Sequence, residues 1–246
     1  MKIIVNGAAG HMGKVLLSMI ETGTRGAELA GAVDSFAPGE GILASLNDFA
    51  GQADCIVDFS HHSATQVLTD YAVAHNMPLV IATTGQTPEE QAMIEKAAES
   101  IPVFASGNMS MGIALLTELA KTTARMFPDA DIEIVEAHHN RKIDVPSGTA
   151  LMLAKACQEA RPDSTLNIGR HENGRREKSE IGIHSLRMGN TVGIHEVIVN
   201  TGSQVITLKH EAQDRALFAE GALAAADFLI KKGPGLYNVH DIVSEA

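Results

Sequence analysis

Lys2-Ile3-Ile4-Val5-Asn6-Gly7-Ala8-Ala9-Gly10-His11-Met12-Gly13 carries the strongest fold signal in the chain. An apolar run that ends abruptly in glycine is the pattern of a strand buried on both faces. The glycine-rich turn leads into Lys14 to Glu21, which reads as a helix. A dinucleotide fingerprint needs three glycines in G-x-G-x-x-G, so that the backbone can approach a pyrophosphate at the helix start. Gly10 and Gly13 fill the last two positions, Ala8 stands at the first, and Gly7 adds another glycine. A second strand, Glu28 to Val33, ends at Asp34, where the fingerprint expects an acid for the ribose hydroxyls. Strand, glycines, helix and acid together favour a dinucleotide over an ordinary strand–helix turn. Asp34 repels a 2′-phosphate and Ser35-Phe36-Ala37 brings no cation, so NADH is expected over NADPH. Lys14 and Arg25 are the nearby basic residues that could still contribute.

Further strands are expected at Ala53 to Phe59, Pro78 to Ala82 and Ile101 to Ala105. Helices alternate with them: Ser63 to His75 with Ser63 as its cap, and one starting at Thr87-Pro88-Glu89-Glu90. This alternation with short connections predicts an α/β fold, a Rossmann-like doubly wound parallel sheet. Ala82-Thr83-Thr84-Gly85 and Ser106-Gly107-Asn108-Met109 then fall at carboxyl ends of strands, the edge where such sheets bind ligands. Asn108 could hold a carboxamide. Taken singly, each motif reads as turn chemistry. Asp58 and His61-His62 end a third strand and stay outside the catalytic set.

After a helix from about Met111 to Met126 the pattern changes. A strand is expected at Asp131 to Ala137 and a helix at Thr149 to Ala160. The mixed-charge run Pro162 to Glu180 reads as a solvated loop. Ile181 to Met188, Ile194 to Thr201 and Gln204 to His210 read as antiparallel neighbours joined by turns. They suggest a second α+β domain with a mixed or antiparallel sheet, broad enough to serve as a subunit interface. The Ala-rich helix Asp214 to Lys231, capped by Asp214 and stopped by Gly233-Pro234-Gly235, suits the first sheet. The expected domains are 1–108 with 214–246 for the dinucleotide and 109–213 for substrate and oligomerisation, with hinges near Asn108 and Asp214.

Composition narrows the function classes. The chain has 246 residues, 45% of them hydrophobic and 20% charged, with a net charge of −11 and no Trp. That argues against nucleic acid, whose phosphates need a basic face and whose bases need aromatic platforms. Ala216 to Ile230 contains Glu220 and Asp227 and is not a membrane span. The two cysteines, Cys55 and Cys157, suit reduced, buried thiols, and no ligand spacing suggests a metal. A soluble, cytoplasmic protein is expected.

Chemistry concentrates in Glu136-Ala137-His138-His139-Asn140-Arg141-Lys142-Ile143-Asp144-Val145-Pro146-Ser147-Gly148-Thr149-Ala150. Imidazole and ammonium donate protons near neutral pH. Ser-Gly-Thr at a helix start offers amides and hydroxyls to an anion. On local grounds a basic surface loop before a capped helix is an equal reading. If the strand persists, only one of His138 and His139 faces the cofactor.

Taken together, these motifs resemble the dihydrodipicolinate reductase family over nearly the whole chain. The most specific part is Glu136-Ala137-His138-His139, Lys142, Asp144 and Pro146-Ser147-Gly148-Thr149-Ala150. The Gly7 to Gly13 loop, Thr83-Thr84-Gly85, Asn108-Met109-Ser110 and the stretch from Glu180-Ile181-Gly182 to Arg187 and Gly189 support it. The resemblance implies proton transfer by His138 and Lys142, and substrate contacts from His139, Ser147, Gly148 and Thr149. It implies cofactor contacts from Gly7, Ala8, Ala9, Gly10, His11, Met12, Asp34, Ala82, Thr83, Thr84, Ser106, Gly107, Asn108 and Met109. It further implies a cytoplasmic homotetramer that reduces a cyclic dicarboxylate imine with NADH or NADPH in the diaminopimelate route to lysine. His11 and Ser35 depart from the family by standing where a basic residue can occur. Ala82 and Gly107 are milder departures. Two other readings are a different two-domain oxidoreductase of a small acid or aldehyde, homoserine-dehydrogenase-like, and an idle NAD-sensing module. The histidine–lysine segment discriminates against both.

Overall fold

Fully buried apolar runs build the centre of the first sheet. The computed structural model describes residues 1–245 and divides into two compact units, Met1–Ser110 with the chain from Arg215 onward, and Met111–Asp214. In the first unit β1 (Lys2–Asn6) leads into α1 (His11–Glu21), followed by β2 (Glu28–Val33) and β3 (Cys55–Asp58). Then come α2 (Thr65–Ala74), β4 (Leu79–Ile81), α3 (Pro88–Ala98) and β5 (Pro102–Ala105). Ile3, Ile4 and Val5 are wholly buried, as are Ile56, Val57, Leu79 and Val80. A strand covered on both faces has to read this way. Helix α1 starts three residues before the position expected from its apolar pattern, because the glycine turn already belongs to its first turn. Helix α2 starts later than Ser63: a short 3-10 turn capped by His61 occupies 62–64. Helix α3 carries the full capping box, with Thr87 and Glu90 bonded reciprocally.

The second unit opens with α4 (Met111–Met126) and β6 (Asp131–His138), then α5 (Gly148–Ala160) and β7 (Thr165–Ile168). It closes with β8 (Glu180–Arg187), β9 (Gly193–Asn200) and β10 (Val205–Ala212). The strand order is β10-β9-β6-β8-β7. Strands β8 and β9 are therefore not the antiparallel neighbours expected from the short turn between them. They flank β6, β8 parallel to it and β9 antiparallel. The connection passes over the carboxyl end of β6, where Met188 N–H donates to the His138 carbonyl at 2.9 Å. Strand β6 is the central strand of the sheet and takes a partner on each edge. This crossing brings Arg187, Gly193 and His195 to the end of β6.

The run at 162–180 is likewise not all loop. Strand β7 hides in it as Thr-Leu-Asn-Ile, an edge strand parallel to β8. Arg176 is absorbed structurally, donating to Glu133, Asp131 and the carbonyls of Ile132 and Glu180. Arg170 is paired with Glu180. Helices α4 and α5 cover one face of the sheet, meeting Ile132, Ile134, Ile181, Ile183, Val197 and Val199.

The chain then returns to the first unit as α6 (Ala216–Leu229), β11 (Gly235–Tyr237) and α7 (Val239–Ser244). Asp214 is not the cap of α6, whose N-cap is Arg215. The tail beyond Gly233-Pro234 adds a sixth parallel strand beside β5, giving the order β11-β5-β4-β3-β1-β2. Small residues let α6 approach closely: a Cβ on Gly221 would lie 1.8 Å from the Met109 carbonyl oxygen. Among the described residues no helix is long and apolar enough to cross a membrane. Cys55 and Cys157 are free and buried, and burial pushes both thiols up.

Candidate active site

Strand β6 persists through His138, so Glu136 and His138 share one face and His139 starts the loop. Glu136 is completely buried and His138 is nearly so. The His138 ring presents Nδ1 to Glu136 Oε2 at 2.5 Å. Arg187, opposite His138 in the β6–β8 register, grips the same carboxylate with both Nη groups at 2.9 and 2.8 Å. Ser147 N–H donates to Oε1 at 3.2 Å. Burial alone would raise the Glu136 carboxyl, but hydrogen bonds from Arg187, Ser185, His138 and the Ser147 amide hold it down at about 2.

The other imidazole nitrogen of His138 lies beside Gly193, where an added Cβ would be 3.2 Å from Nε2. The His195 ring stands edge-on to it, with centroids 5.1 Å apart. His195 Nε2 is 3.2 Å from Ser147 Oγ, which also accepts the Ala150 N–H and so caps α5. Burial, with the His138 charge beside it, lowers His195 to about 4, so this ring is neutral at neutral pH.

The loop between β6 and α5 carries the ammonium. Lys142 N–H closes a turn onto the His139 carbonyl, and Lys142 Nζ pairs with Asp144 Oδ1 at 2.8 Å. The hydrogen bond from Lys142 lowers the Asp144 carboxyl. Arg187 Nη2 donates to the Asp144 carbonyl at 2.7 Å and braces this loop. Arg141 is exposed and turned toward Asn190. Ser147 is buried, Thr149 half-buried and Gly148 exposed at the helix start. His138, Ser147 and the Lys142 loop thus converge on one Glu136–Arg187 pair. Among the described residues no group of three or more His, Cys, Asp or Glu side chains is arranged to hold a metal.

In the first unit, a cavity of about 280 Å³ is lined by Gly7, Ala9, Gly10, Asp34, Phe36 and Ser60 among others. Gly7 has φ +79°, and a Cβ there would meet the Phe59 carbonyl carbon at 2.6 Å. At Gly13 a Cβ would lie 2.1 Å from the Gly7 oxygen, which is why the helix can start so close to the turn. Asp34 accepts the Ala9 amide on Oδ2 at 3.1 Å and the Phe36 and Ala37 amides on Oδ1 at 3.0 Å. Its carboxylate is held rigidly at the rim. A glycine turn, a helix start and a fixed acid around a cavity fit a dinucleotide.

Ala8 is fully buried and Met109 nearly so, which leaves their main chains as the groups able to meet a ligand. His11 opens α1 and is exposed, with Met12 half-buried beside it. Thr83 Oγ1 donates to Asp58 Oδ2 at 2.7 Å, whereas Thr84 is exposed. Ala82 N–H donates to the Asp58 carbonyl at 2.9 Å. Ser106 Oγ donates to the Asn108 carbonyl at 2.8 Å, and Gly107 between them is exposed. Asp58, at the end of β3, braces three strand ends by accepting from Asn6, Ser60 and Thr83. Burial pushes its carboxyl up against those hydrogen bonds.

The family models described as "Dihydrodipicolinate reductase, N-terminus" and "C-terminus" match residues 1–109 and 112–243. A 4-hydroxy-tetrahydrodipicolinate reductase of Caldanaerobacter subterraneus subsp. tengcongensis is 41% identical, covering 99% of this chain and 98% of that one. The same-named protein of Clostridium novyi is 38% identical, over 98% of each. The solved structure of a dipicolinate-bound dihydrodipicolinate reductase from Paenisporosarcina sp. TG-14 superposes with a TM-score of 0.81, covering 98% of this chain and 99% of that one. At 22% identity it speaks for the fold. The chain belongs to the dihydrodipicolinate reductase family, the enzymes that reduce 4-hydroxy-tetrahydrodipicolinate.

Proposed function

We propose that the chain carries out this reduction with His138 and Lys142 handling the proton, and with His139, Ser147, Gly148 and Thr149 holding the substrate. One observation carries the reading: the buried Glu136 carboxylate bonds both the His138 ring and the Ser147 amide, joining a proton carrier to an anion-binding helix start. The dipicolinate named in the Paenisporosarcina structure is a planar analogue of a cyclic dicarboxylate, which supports that substrate class. Lys142 attracts a carboxylate and offers a proton. His138 Nε2 is the other carrier of that same proton, which joins the substrate ring as the hydride adds to the imine. The Ser147-Gly148-Thr149 turn fixes a carboxylate through oriented donors without adding a mobile charge.

The first unit would hold the nicotinamide cofactor, which supplies the hydride when bound. Gly7, Ala8, Ala9, Gly10, His11 and Met12 would meet its pyrophosphate, and Asp34 its adenosine ribose. Ala82, Thr83, Thr84 and the Ser106-Gly107-Asn108-Met109 turn would line the nicotinamide end. NADH is the preferred donor, because Asp34 is buried and fixed by three amides and cannot turn away from a 2′-phosphate. In the second unit, the sheet face opposite α4 and α5, which exposes Leu186 and Val205, would bury against other copies in a tetramer.

The deciding experiment supplies the product of dihydrodipicolinate synthase with either nucleotide and follows loss of its reduced-form absorbance. Absence of turnover with both sinks the reading. NADH should exceed NADPH in kcat/KM by at least about tenfold, roughly 1.4 kcal/mol of discrimination; the reverse preference would refute the role given to Asp34. Thr149→Ala should raise KM about 10- to 100-fold with kcat nearly kept, as for loss of a hydrogen bond to a charged group. Steady-state kinetics separates the two parameters, and a fall in kcat at constant KM would contradict the assignment.

A further inference from the structure

We propose that Glu136, clamped by Arg187, is the positioning residue of this site: it fixes the His138 ring as the Nδ1–H tautomer and aligns the Ser147 amide through the same carboxylate. The proposal rests on the reading of His138 as a proton carrier and goes a layer beneath it. Each carboxylate oxygen has at least two donors, and the Ser185 hydroxyl bonds the same carboxylate. Oε1 accepts from Arg187 Nη2 and Ser147 N–H, and Oε2 from Arg187 Nη1 and His138 Nδ1. An ionised carboxylate can only accept, so the proton in the 2.5 Å contact belongs to His138 Nδ1. The mobile proton is then carried on Nε2, on the side where Gly193 leaves room.

The surroundings keep that arrangement single-valued. Arg187 uses its remaining Nη hydrogens on the carbonyls of Leu186 and Asp144 at 2.7 Å each, so the guanidinium cannot swing aside without breaking both. His195 on β9 is the nearest other imidazole. Its low affinity for protons leaves it neutral, so it does not compete with His138. A carboxylate that orients a histidine and selects its tautomer is a recurring device in proton-transfer sites. Here the same carboxylate also reaches the substrate-binding turn. Removal of its charge should therefore disturb the proton step and substrate binding together.

The test uses the full chain labelled with ¹⁵N-histidine. In the wild type, the neutral ring of His138 is expected as the Nδ1–H tautomer; an Nε2–H tautomer would overturn the proposal. Glu136→Gln keeps the shape, and its carbonyl is expected to stay on Arg187, which turns its amide N–H toward Nδ1 and reverses the tautomer. This variant should lose about 100-fold in kcat and also raise KM. Glu136→Asp should restore the Nδ1–H signal and part of kcat. Glu136→Gln with an unchanged tautomer and an unchanged kcat per folded molecule would make Glu136 merely structural and reject the idea. If Glu136→Gln does not fold, the wild-type spectrum still decides. A His138→Gln variant with full kcat would remove the parent reading instead, and would leave the tautomer result standing.

Discussion

Arg187→Ala is expected to lower the stability of the chain by about 3–5 kcal/mol at pH 7, the usual cost of stripping the partner from a buried ion pair. The reason lies in what stays behind. Glu136 has no exposed surface and would keep only the His138 ring, Ser185 and the Ser147 amide as donors. The pH dependence distinguishes a charge effect from lost packing. In the wild type the Glu136 carboxyl is depressed from 4.5 to about 2, so its stabilisation is complete above about 4.5 and is lost as pH falls toward about 2. In the variant burial dominates and the carboxyl moves up, so protonation relieves the buried charge. The gap between variant and wild type should thus narrow as pH falls from 7 toward 5. Urea unfolding at the two pH values measures it. A gap that does not change with pH would assign the cost to the lost contacts with Leu186 and Asp144 rather than to charge.

The first unit was legible because its signals are local. Lys2 to Gly13 contains a strand, a turn and a helix start within one stretch, and the glycines are required by approaches of 2.1 and 2.6 Å that any side chain would obstruct. Strands β3, β4 and β5 announce themselves by being apolar on both faces. The second unit was harder to read for the opposite reason. Its strands alternate, and alternation says that a strand exists without saying which strand lies beside it. Hence the pattern of Ile181 to Met188 marks a strand to within one residue at each end, at Glu180–Arg187, but does not mark its neighbours.

Part of the site depends on that pairing. Glu136 and His138 are two apart on a strand, a spacing that places both on one face and could have been used. Arg187 carries no such mark: it is 51 positions from Glu136 and meets it only because β8 runs parallel to β6. His195 and Gly193 arrive from β9 on the other side. A motif of fifteen residues could be read as chemistry, yet the residues that orient it come from two strands that the chain reaches much later.

Lys142→Ala is expected to cut kcat by about 10²- to 10⁴-fold, the usual worth of a positioned general acid. Stability should change little, which makes the variant informative. The Lys142–Asp144 pair has Asp144 59% exposed, and ion pairs that face water contribute about 0–1 kcal/mol. KM should rise less than kcat falls, since the Ser147-Gly148-Thr149 turn still holds a carboxylate. Lys142→Arg separates the two tasks of the ammonium. A guanidinium keeps the charge but does not release a proton at working pH. It should preserve most of KM while leaving kcat depressed. Near-normal kcat in Lys142→Ala would refute the proton role, and full recovery in Lys142→Arg would reduce Lys142 to an electrostatic anchor. The weakness of the Asp144 pair fits either task better than a strong one would. An ammonium held loosely by one carboxylate can pass to another, and the arriving one belongs to a dicarboxylate.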